Sequence, residues 1–313
     1  MQLGNIRLFS GTSNQKLAKK IARGLGMELG NVYISRFKSG EIYVRYEESF
    51  RNCDVFIVQS FSHPINENFV ELLVMIDAAK RASARTINVV IPYYGYARQE
   101  RKTAPREPIS AKMVADVLTT AGADRIVTID LHADAIQGFF NIPVDHLTAL
   151  DLICDYLKAK KIENPIVVSP DAGRATTAEK LANSLDAPFA IMIKKRPAHN
   201  QSMITHVIGD VEGKTPIIIE DLIDTGTTIV NVVESLKERG ARDVFVCATH
   251  PLFSSNAIVR LDHPGIQEVV VTDSIPLPEE RSKRFTLLSV DNLLTDAIKI
   301  IAEGGSISSL FKV

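Results

Sequence analysis

The densest run of chemically capable side chains is Glu220-Asp221-Leu222-Ile223-Asp224-Thr225-Gly226-Thr227-Thr228, set directly after the apolar run PIII at 216–219. It holds three carboxylates, then small hydroxyl residues around a glycine. Apolar residues recur at Ile229, Val232, Val233 and Leu236, and Gly240 follows, which predicts a strand ending near Glu220 and a helix beginning near Thr227. The first N–H groups of a helix lack partners and the helix dipole favours negative charge there, so a turn over 224–228 can hold an anion. Glu220 and Asp221 would repel that anion. They can instead accept hydrogen bonds from neighbouring hydroxyls, as an acidic residue does on a ribose in dinucleotide folds. A sugar phosphate satisfies both halves, with its phosphate in the turn and its vicinal diol on Glu220 and Asp221. A capped helix after an acidic turn accounts for the same residues without a ligand.

Other segments carry compatible chemistry. YYGYARQERKTAPREP, residues 93–108, sets Arg98, Arg101, Lys102 and Arg106 against Glu100 and Glu107. A basic loop limited by prolines suits a lid over polyphosphate, or simply a solvated surface loop. SPDAGR, residues 169–174, offers a backbone able to approach an anion, and Asp171 is a hard oxygen ligand of the kind magnesium prefers. IDLHAD, residues 129–134, carries His132, which by chemistry alone fits a hydrogen-bonding or capping role better than magnesium ligation. KKRP, residues 194–197, closes the apolar run AIMI with Lys194 and Arg196.

What must position these residues is a series of strands. VFIVQ, INVVIP, IVTID, PIVVS and PIII alternate with helical patterns, which predicts an α/β fold with mostly parallel sheets flanked by helices. Every chemical segment above then lies just beyond a strand's carboxyl end, where open α/β sheets bind ligands. The halves echo each other: AKRASARTINVVIP resembles LKERGARDVFVCAT, and GADRIVTID resembles GIQEVVVTD. Two similar domains are expected, 1–147 with the flexible basic loop 93–108, and 148–313. The chain has 313 residues, 45% hydrophobic and 23% charged, with a net charge of -1, which argues against a nucleic-acid surface. No apolar run approaches membrane-spanning length and no signal-peptide pattern opens the chain, so a cytoplasmic protein is expected. Cys53, Cys154 and Cys247 lie far apart in no metal-ligand spacing and read as buried free thiols. Neither a P-loop motif nor GxGxxG is present.

EDLIDTGTT resembles the ribose-phosphate signature of type I phosphoribosyltransferases. With RFKSGEI, YYGYARQERK, TIDLHAD, SPDAGR, KKRP and SISSLF, essentially the whole chain resembles the ribose-phosphate diphosphokinase family. The resemblance implies two type I phosphoribosyltransferase-like domains, Mg2+, a cytoplasmic homohexamer, and transfer of the diphosphoryl group of ATP to ribose 5-phosphate. It implies that Glu220 and Asp221 hold the ribose hydroxyls and that Asp224, Thr225, Gly226, Thr227 and Thr228 hold the 5-phosphate. His132 and Asp171 fall at metal-associated positions. Lys194, Arg196 and Arg98 would stabilise transition-state charge. Phe37, Ser39 and Glu41 of a neighbouring subunit, with Arg98, Gln99 and His132, would contact ATP. Phosphate and ADP are implied as effectors, at a subunit contact around Arg81, Ser83, Arg106, Ser306 and Ser308, where arginines and hydroxyls can converge on a phosphate.

The chain departs from the family pattern in places. Ser39 stands where Asp is usual, Arg174 replaces a second glycine after PDxG, and Thr177 and Glu179 replace basic residues. Arg174 either blocks its loop or supplies a replacement charge. These departures keep open a weakly active regulatory paralogue that assembles with an active synthetase. A base phosphoribosyltransferase, which needs one such domain and a base-binding hood, fits the duplicated layout less well.

Overall fold

Short runs of Val, Ile and Leu without polar alternation become strands covered on both faces, as parallel sheets require. The computed structural model describes residues 5–198, 201–278 and 282–311, with main chain only over 194–198 and 201–206. The first series of elements is β1 (Ile6–Ser10), α1 (Gln15–Gly24), β2 (Val32–Arg36), β3 (Ile42–Tyr46), β4 (Asp54–Val58), α2 (Ile65–Arg81), β5 (Thr86–Ile91), α3 (Ser110–Ala121), β6 (Arg125–Ile129) and β7 (Val144–Leu147). Strands β1, β4, β5, β6 and β7 pair in that order into a parallel sheet. A separate antiparallel ribbon is made by β2 and β3.

The second series is α4 (Leu150–Lys160), β8 (Pro165–Ser169), α5 (Ala175–Leu185), β9 (Phe189–Ala198), β10 (Gln201–Ile208), β11 (Thr215–Ile223), α6 (Thr227–Glu238), β12 (Val244–Pro251), α7 (Ala257–Leu261), β13 (Ile266–Thr272) and β14 (Phe285–Leu288). Its sheet has the order β10-β9-β8-β11-β12-β13-β14, parallel except for the β9–β10 pair. The path β8-β11-β12-β13-β14 repeats β1-β4-β5-β6-β7, and in each half an antiparallel pair is inserted after the helix that follows the first strand of the path. The sequence echo is therefore an echo of topology.

Side chains alternate across these strands. On β11, Ile217 and Ile219 pack with Cys154 and Leu157 of α4 and Leu181 of α5, while Ile218 packs with Val232, Val233 and Leu236 of α6. Each fully buried aliphatic side chain contributes about 1.5–3 kcal/mol. Cys53, Cys154 and Cys247 are free and buried, and burial pushes the thiols of Cys154 and Cys247 up, which makes them poor nucleophiles. Among the described residues no helix is long and apolar enough to cross a membrane.

Contacts divide the chain into two units. One runs up to Thr148 and takes back Ser274–Pro276 and the chain from Ser289 onward; the other holds Ala149–Asp273 and Leu277–Leu288. The expected single block 148–313 is thus interrupted, because α8 (Asp291–Ala302) packs on α1. Helix α1 buries Leu17, Ala18, Ile21 and Ala22; α8 buries Leu294, Thr295, Ala297 and Ile298. Gly24 permits the approach, since a Cβ there would lie 2.8 Å from Thr295 Oγ1, and Lys20 Nζ donates to Ser289 Oγ at 2.9 Å. Periodicity reveals that a helix has an apolar face, not which helix will cover it.

Candidate functional site

Strand β11 does not stop at Glu220. It continues to Ile223 because β12 is long enough to pair with it, Glu220 lying opposite Ala248 and Leu222 opposite His250. The two adjacent carboxylates therefore sit on a fixed ladder rather than in the following loop, and Asp221 is buried. Helix α6 starts at Thr227, and its N-cap is Gly226, which has no side chain to satisfy the first-turn N–H groups. Gly226 has φ +73, and a Cβ there would come within 3.2 Å of Leu261 Cγ. The turn is held from behind: Phe253 N donates to Ile223 O at 3.1 Å and Ser254 N to Asp224 O at 3.1 Å. Arg260 donates from its guanidinium to the carbonyl of Thr225, and Thr225 Oγ1 bonds Thr227 Oγ1 at 3.3 Å. Thr225, Thr227 and Thr228 are exposed.

Residues 169–174 leave β8 at the same edge of the sheet, since β8 and β11 are parallel. Ser169 Oγ donates to Asp171 O at 2.6 Å. Asp171 Oδ1 accepts Gly173 N–H at 2.9 Å and opens a short 3-10 turn over Ala172–Arg174. Arg174 reaches back to the carboxylate pair: Nη2 lies 2.6 Å from Asp221 Oδ2, and Nε 3.9 Å from Glu220 Oε2. Strand β9 is parallel to β8, so the part of it that carries Lys194 and Arg196 also emerges at this edge. The side chains of Lys194 and Arg196 lie outside the described residues.

In the first unit, the parallel strands β4, β5 and β6 likewise send their following loops to one edge. The loop after β6 turns at Asp130, with φ +37. Asp130 N donates to Leu147 O at 2.9 Å, and Leu131 N donates to Nε2 of His146 at 2.8 Å. Burial holds the imidazole of His146 below its usual pKa, against the opposing pull of Asp130 and Asp134. Its other ring nitrogen, Nδ1, lies 3.7 Å from Asp134 Oδ1 and 3.2 Å from the side-chain amide nitrogen of Gln137. This brace fixes the loop carrying half-buried His132. Neither Arg260 nor His146 was legible in advance, since each acts on backbone 35 and 15 positions away respectively and no local pattern records that.

The basic segment 93–108 is only partly a loop. Tyr93, Tyr94, Gly95 and Ala97 are buried, and Tyr94 OH donates to Ala111 O at 3.0 Å. From Arg98 the segment is exposed, with Gln99 accepting from the Ser110 hydroxyl. Thr103 N and Ala104 N donate to Glu107 Oε2 at 2.7 and 2.9 Å, so Glu107 ties the tip of the loop. The β2–β3 ribbon carries Phe37, 56% exposed, with its ring 5.6 Å from that of Tyr43. At its tip Ser39 Oγ donates to Glu41 Oε2 at 2.5 Å. Of the regulatory candidates, Arg81 pairs with Asp77 at 2.7 Å and Ser306 with Ser308 at 2.7 Å; Arg106 is exposed with φ +69, and Ser83 has φ +64.

Among the described residues no three His, Cys, Asp or Glu side chains form a metal cluster. Magnesium is usually held by one or two carboxylates together with substrate phosphates, so Asp171 fits it as a hard ligand and His132 fits it less well.

Comparison with known proteins gives one consistent result. Residues 6–122 match the family described as the N-terminal domain of ribose phosphate pyrophosphokinase, and residues 168–312 match the phosphoribosyl synthetase-associated domain. A ribose-phosphate pyrophosphokinase of Fusobacterium nucleatum is 52% identical over 314 residues, covering 99% of each chain. That of Bacillus subtilis is 50% identical over 308 residues, covering 98% of this chain and 97% of the relative. The crystal structure of phosphoribosylpyrophosphate synthetase from Mycobacterium smegmatis superposes with a TM-score of 0.92 at 46% identity, over 96% of this chain and 100% of that one.

Proposed function

The chain belongs to the ribose-phosphate pyrophosphokinase family, and from that premise we propose which of its residues carry the reaction. The enzyme transfers the diphosphoryl group of ATP to the anomeric hydroxyl of ribose 5-phosphate, giving phosphoribosyl pyrophosphate and AMP for nucleotide biosynthesis. A new bond forms between the anomeric oxygen and the β-phosphorus. The bond from the β-phosphorus to the bridging oxygen breaks, its electron pair leaves with AMP, and the hydroxyl proton is lost.

The sugar side is assigned to the second unit. Glu220 and Asp221 accept the ribose hydroxyls, and the backbone of 224–228, opened by Gly226, receives the 5-phosphate on the first turn of α6. The nucleotide side is assigned to the first unit: Arg98, Gln99 and His132, with Phe37, Ser39 and Glu41 contributed by a neighbouring subunit of a homohexamer. The exposed ring of Phe37 on a ribbon tip supports stacking on a base. Asp171 and His132 would hold Mg2+, which when bound neutralises charge on the phosphate oxygens. Lys194, Arg196 and Arg98 place fixed positive charge on the group in flight, where it counts most in the transition state. Phosphate and ADP act as effectors through Arg81, Ser83, Arg106, Ser306 and Ser308, and the protein works in the cytoplasm, without nucleic acid or membrane as partner.

The observation that carries this reading is the carboxylate pair on the last rungs of β11 running into the glycine-opened turn of α6. Incubation with ATP labelled at the β-phosphate and ribose 5-phosphate should move the label into phosphoribosyl pyrophosphate, with AMP in equal amount. Release of ADP, or no AMP at all, would sink the assignment; the latter outcome is the one a regulatory paralogue would give.

A further inference from the structure

Three consecutive carbonyls of the turn before α6 are held by one neighbouring segment. Ile223 O accepts from Phe253 N and Asp224 O from Ser254 N, both at 3.1 Å, and Thr225 O accepts from the guanidinium of Arg260. The next carbonyl, that of Gly226, already belongs to the helix and accepts from Val230 N at 3.1 Å. In a trans peptide unit, as these are, the C=O and the following N–H point in opposite directions. Tying the three carbonyls to residues 253–260 therefore turns the N–H groups of Asp224, Thr225 and Gly226 away from that segment, and successive N–H groups turned to one side make an anion-binding hollow.

The third tie differs in kind from the other two. Phe253 and Ser254 donate from the main chain, as any residue but proline can. Arg260 is a half-buried charged side chain on α7, and the peptide it holds ends in Gly226, at φ +73, the joint of the turn with the most conformational freedom. Leu261, the next residue of α7, packs beneath that same glycine, so adjacent positions of one helix hold the peptide by its carbonyl and by its Cα. A charged donor on a carbonyl polarises the peptide and strengthens the N–H on its far side.

We propose that Arg260 is a positioning residue for the sugar phosphate: acting through the Thr225–Gly226 peptide, it aims the Gly226 N–H at the 5-phosphate and strengthens that donor, without touching the anion. This rests on the assignment of the 5-phosphate to the turn 224–228. A phosphate remote from the reacting centre is held alike in ground and transition states, so the effect belongs to sugar affinity rather than to the chemical step.

The test is titration of ribose 5-phosphate into the full-length protein in magnesium, with steady-state kinetics on the same preparations. Arg260→Met, which keeps an apolar stem and removes the donors, should weaken ribose 5-phosphate about tenfold, the lower end of the worth of a charge-assisted hydrogen bond. Its KM for the sugar should rise to match, with much smaller changes in kcat and in the KM for ATP. Arg260→Lys, which keeps a charged donor, should recover most of the affinity. Arg260→Gln, neutral and shorter, replaces the methionine variant should that one fold poorly. Wild-type sugar affinity in the neutral variant overturns the role of Arg260. So does a loss that is equal in the neutral and lysine variants, or one that falls equally on ATP, since either marks a general effect of α7 on the fold. Thr228→Val, which removes a hydroxyl of the turn itself, separates the two levels. If it weakens the sugar while the neutral Arg260 variant does not, the phosphate turn stands without Arg260; if neither alters sugar binding, the assignment of the phosphate to this turn falls as well.

Discussion

Gly226 carries two demands at once, a left-handed backbone and a close approach to Leu261. An alanine there meets strain from φ as well as from the 3.2 Å contact, so Gly226→Ala should lower stability by about 1 kcal/mol or more. It should also weaken ribose 5-phosphate binding, because the first-turn N–H groups of α6 would be re-aimed. Denaturant unfolding and titration of the sugar phosphate check the two effects separately. Asp221→Ala and Asp224→Ala should likewise act on sugar affinity. Lys194→Ala and Arg98→Ala, by contrast, should lower turnover by about a hundredfold with smaller changes in KM, and a variant whose kcat stays near wild type would lose its proposed role. At this scale the sequence was most informative where chemistry is local. The helix start near Thr227 could be read within the run from Glu220 to Thr228, whereas the brace from Arg260 and the acceptor nitrogen of His146 depend on contacts that only the folded chain creates.

Among the elements, strand identity was legible because parallel strands buried on both faces are written as unbroken aliphatic runs. Strand length was less so. The extension of β11 past Glu220 is dictated by the reach of β12, which no pattern within β11 can express. Strand starts have their own fastenings. Asp54, at the head of β4, accepts from Arg85 Nε at 2.8 Å and from Thr86 Oγ1 at 2.7 Å, linking it to the head of β5. The hydrogen bond from Arg85, with that from Thr86 and the charge of Arg85, outweighs burial and holds the Asp54 carboxyl below its usual pKa. A carboxylate whose pKa is lowered on folding contributes stability above its unfolded value, near about 3.9, and loses that contribution as pH falls through the folded value. Asp54→Asn should therefore be less stable than wild type at neutral pH, and the gap should close below about pH 4. Thermal melts of both proteins across that range test it; a gap that persists in acid would mean the pair contributes through packing rather than charge.

At the scale of the whole chain, duplication was readable from two short echoes, and the repeated strand order bears them out. The return of α8 to the first unit was not, since an amphipathic helix at the end of a sequence carries no address. It has a clear experimental signature. A fragment ending at Thr148 leaves the apolar face of α1, with Leu17 and Ile21, uncovered, and should be unstable or aggregate; supplying residues 289–311 through a tether should restore a cooperative melt. A well-folded, monomeric fragment would show that α8 is dispensable. A milder cut, after Gly304, removes Ser306 and Ser308 but spares α8. It should leave the fold intact while diminishing the response to phosphate and ADP. Full retention of that response in a hexamer would exclude the tail from regulation.

The docking of α8 on α1 also sets an order of events during synthesis. The first unit has all of its strands when the ribosome has passed Leu147, yet α8, which covers α1, follows only after the strands of the second unit. At typical bacterial to eukaryotic elongation rates it arrives roughly ten to thirty seconds later. For that interval the nascent amino-terminal half must hold an uncapped apolar seam on α1, within reach of trigger-type chaperones and of other nascent chains on the same messenger. A chain cut short before α8 never closes the seam, so α1 keeps Leu17 and Ile21 uncovered.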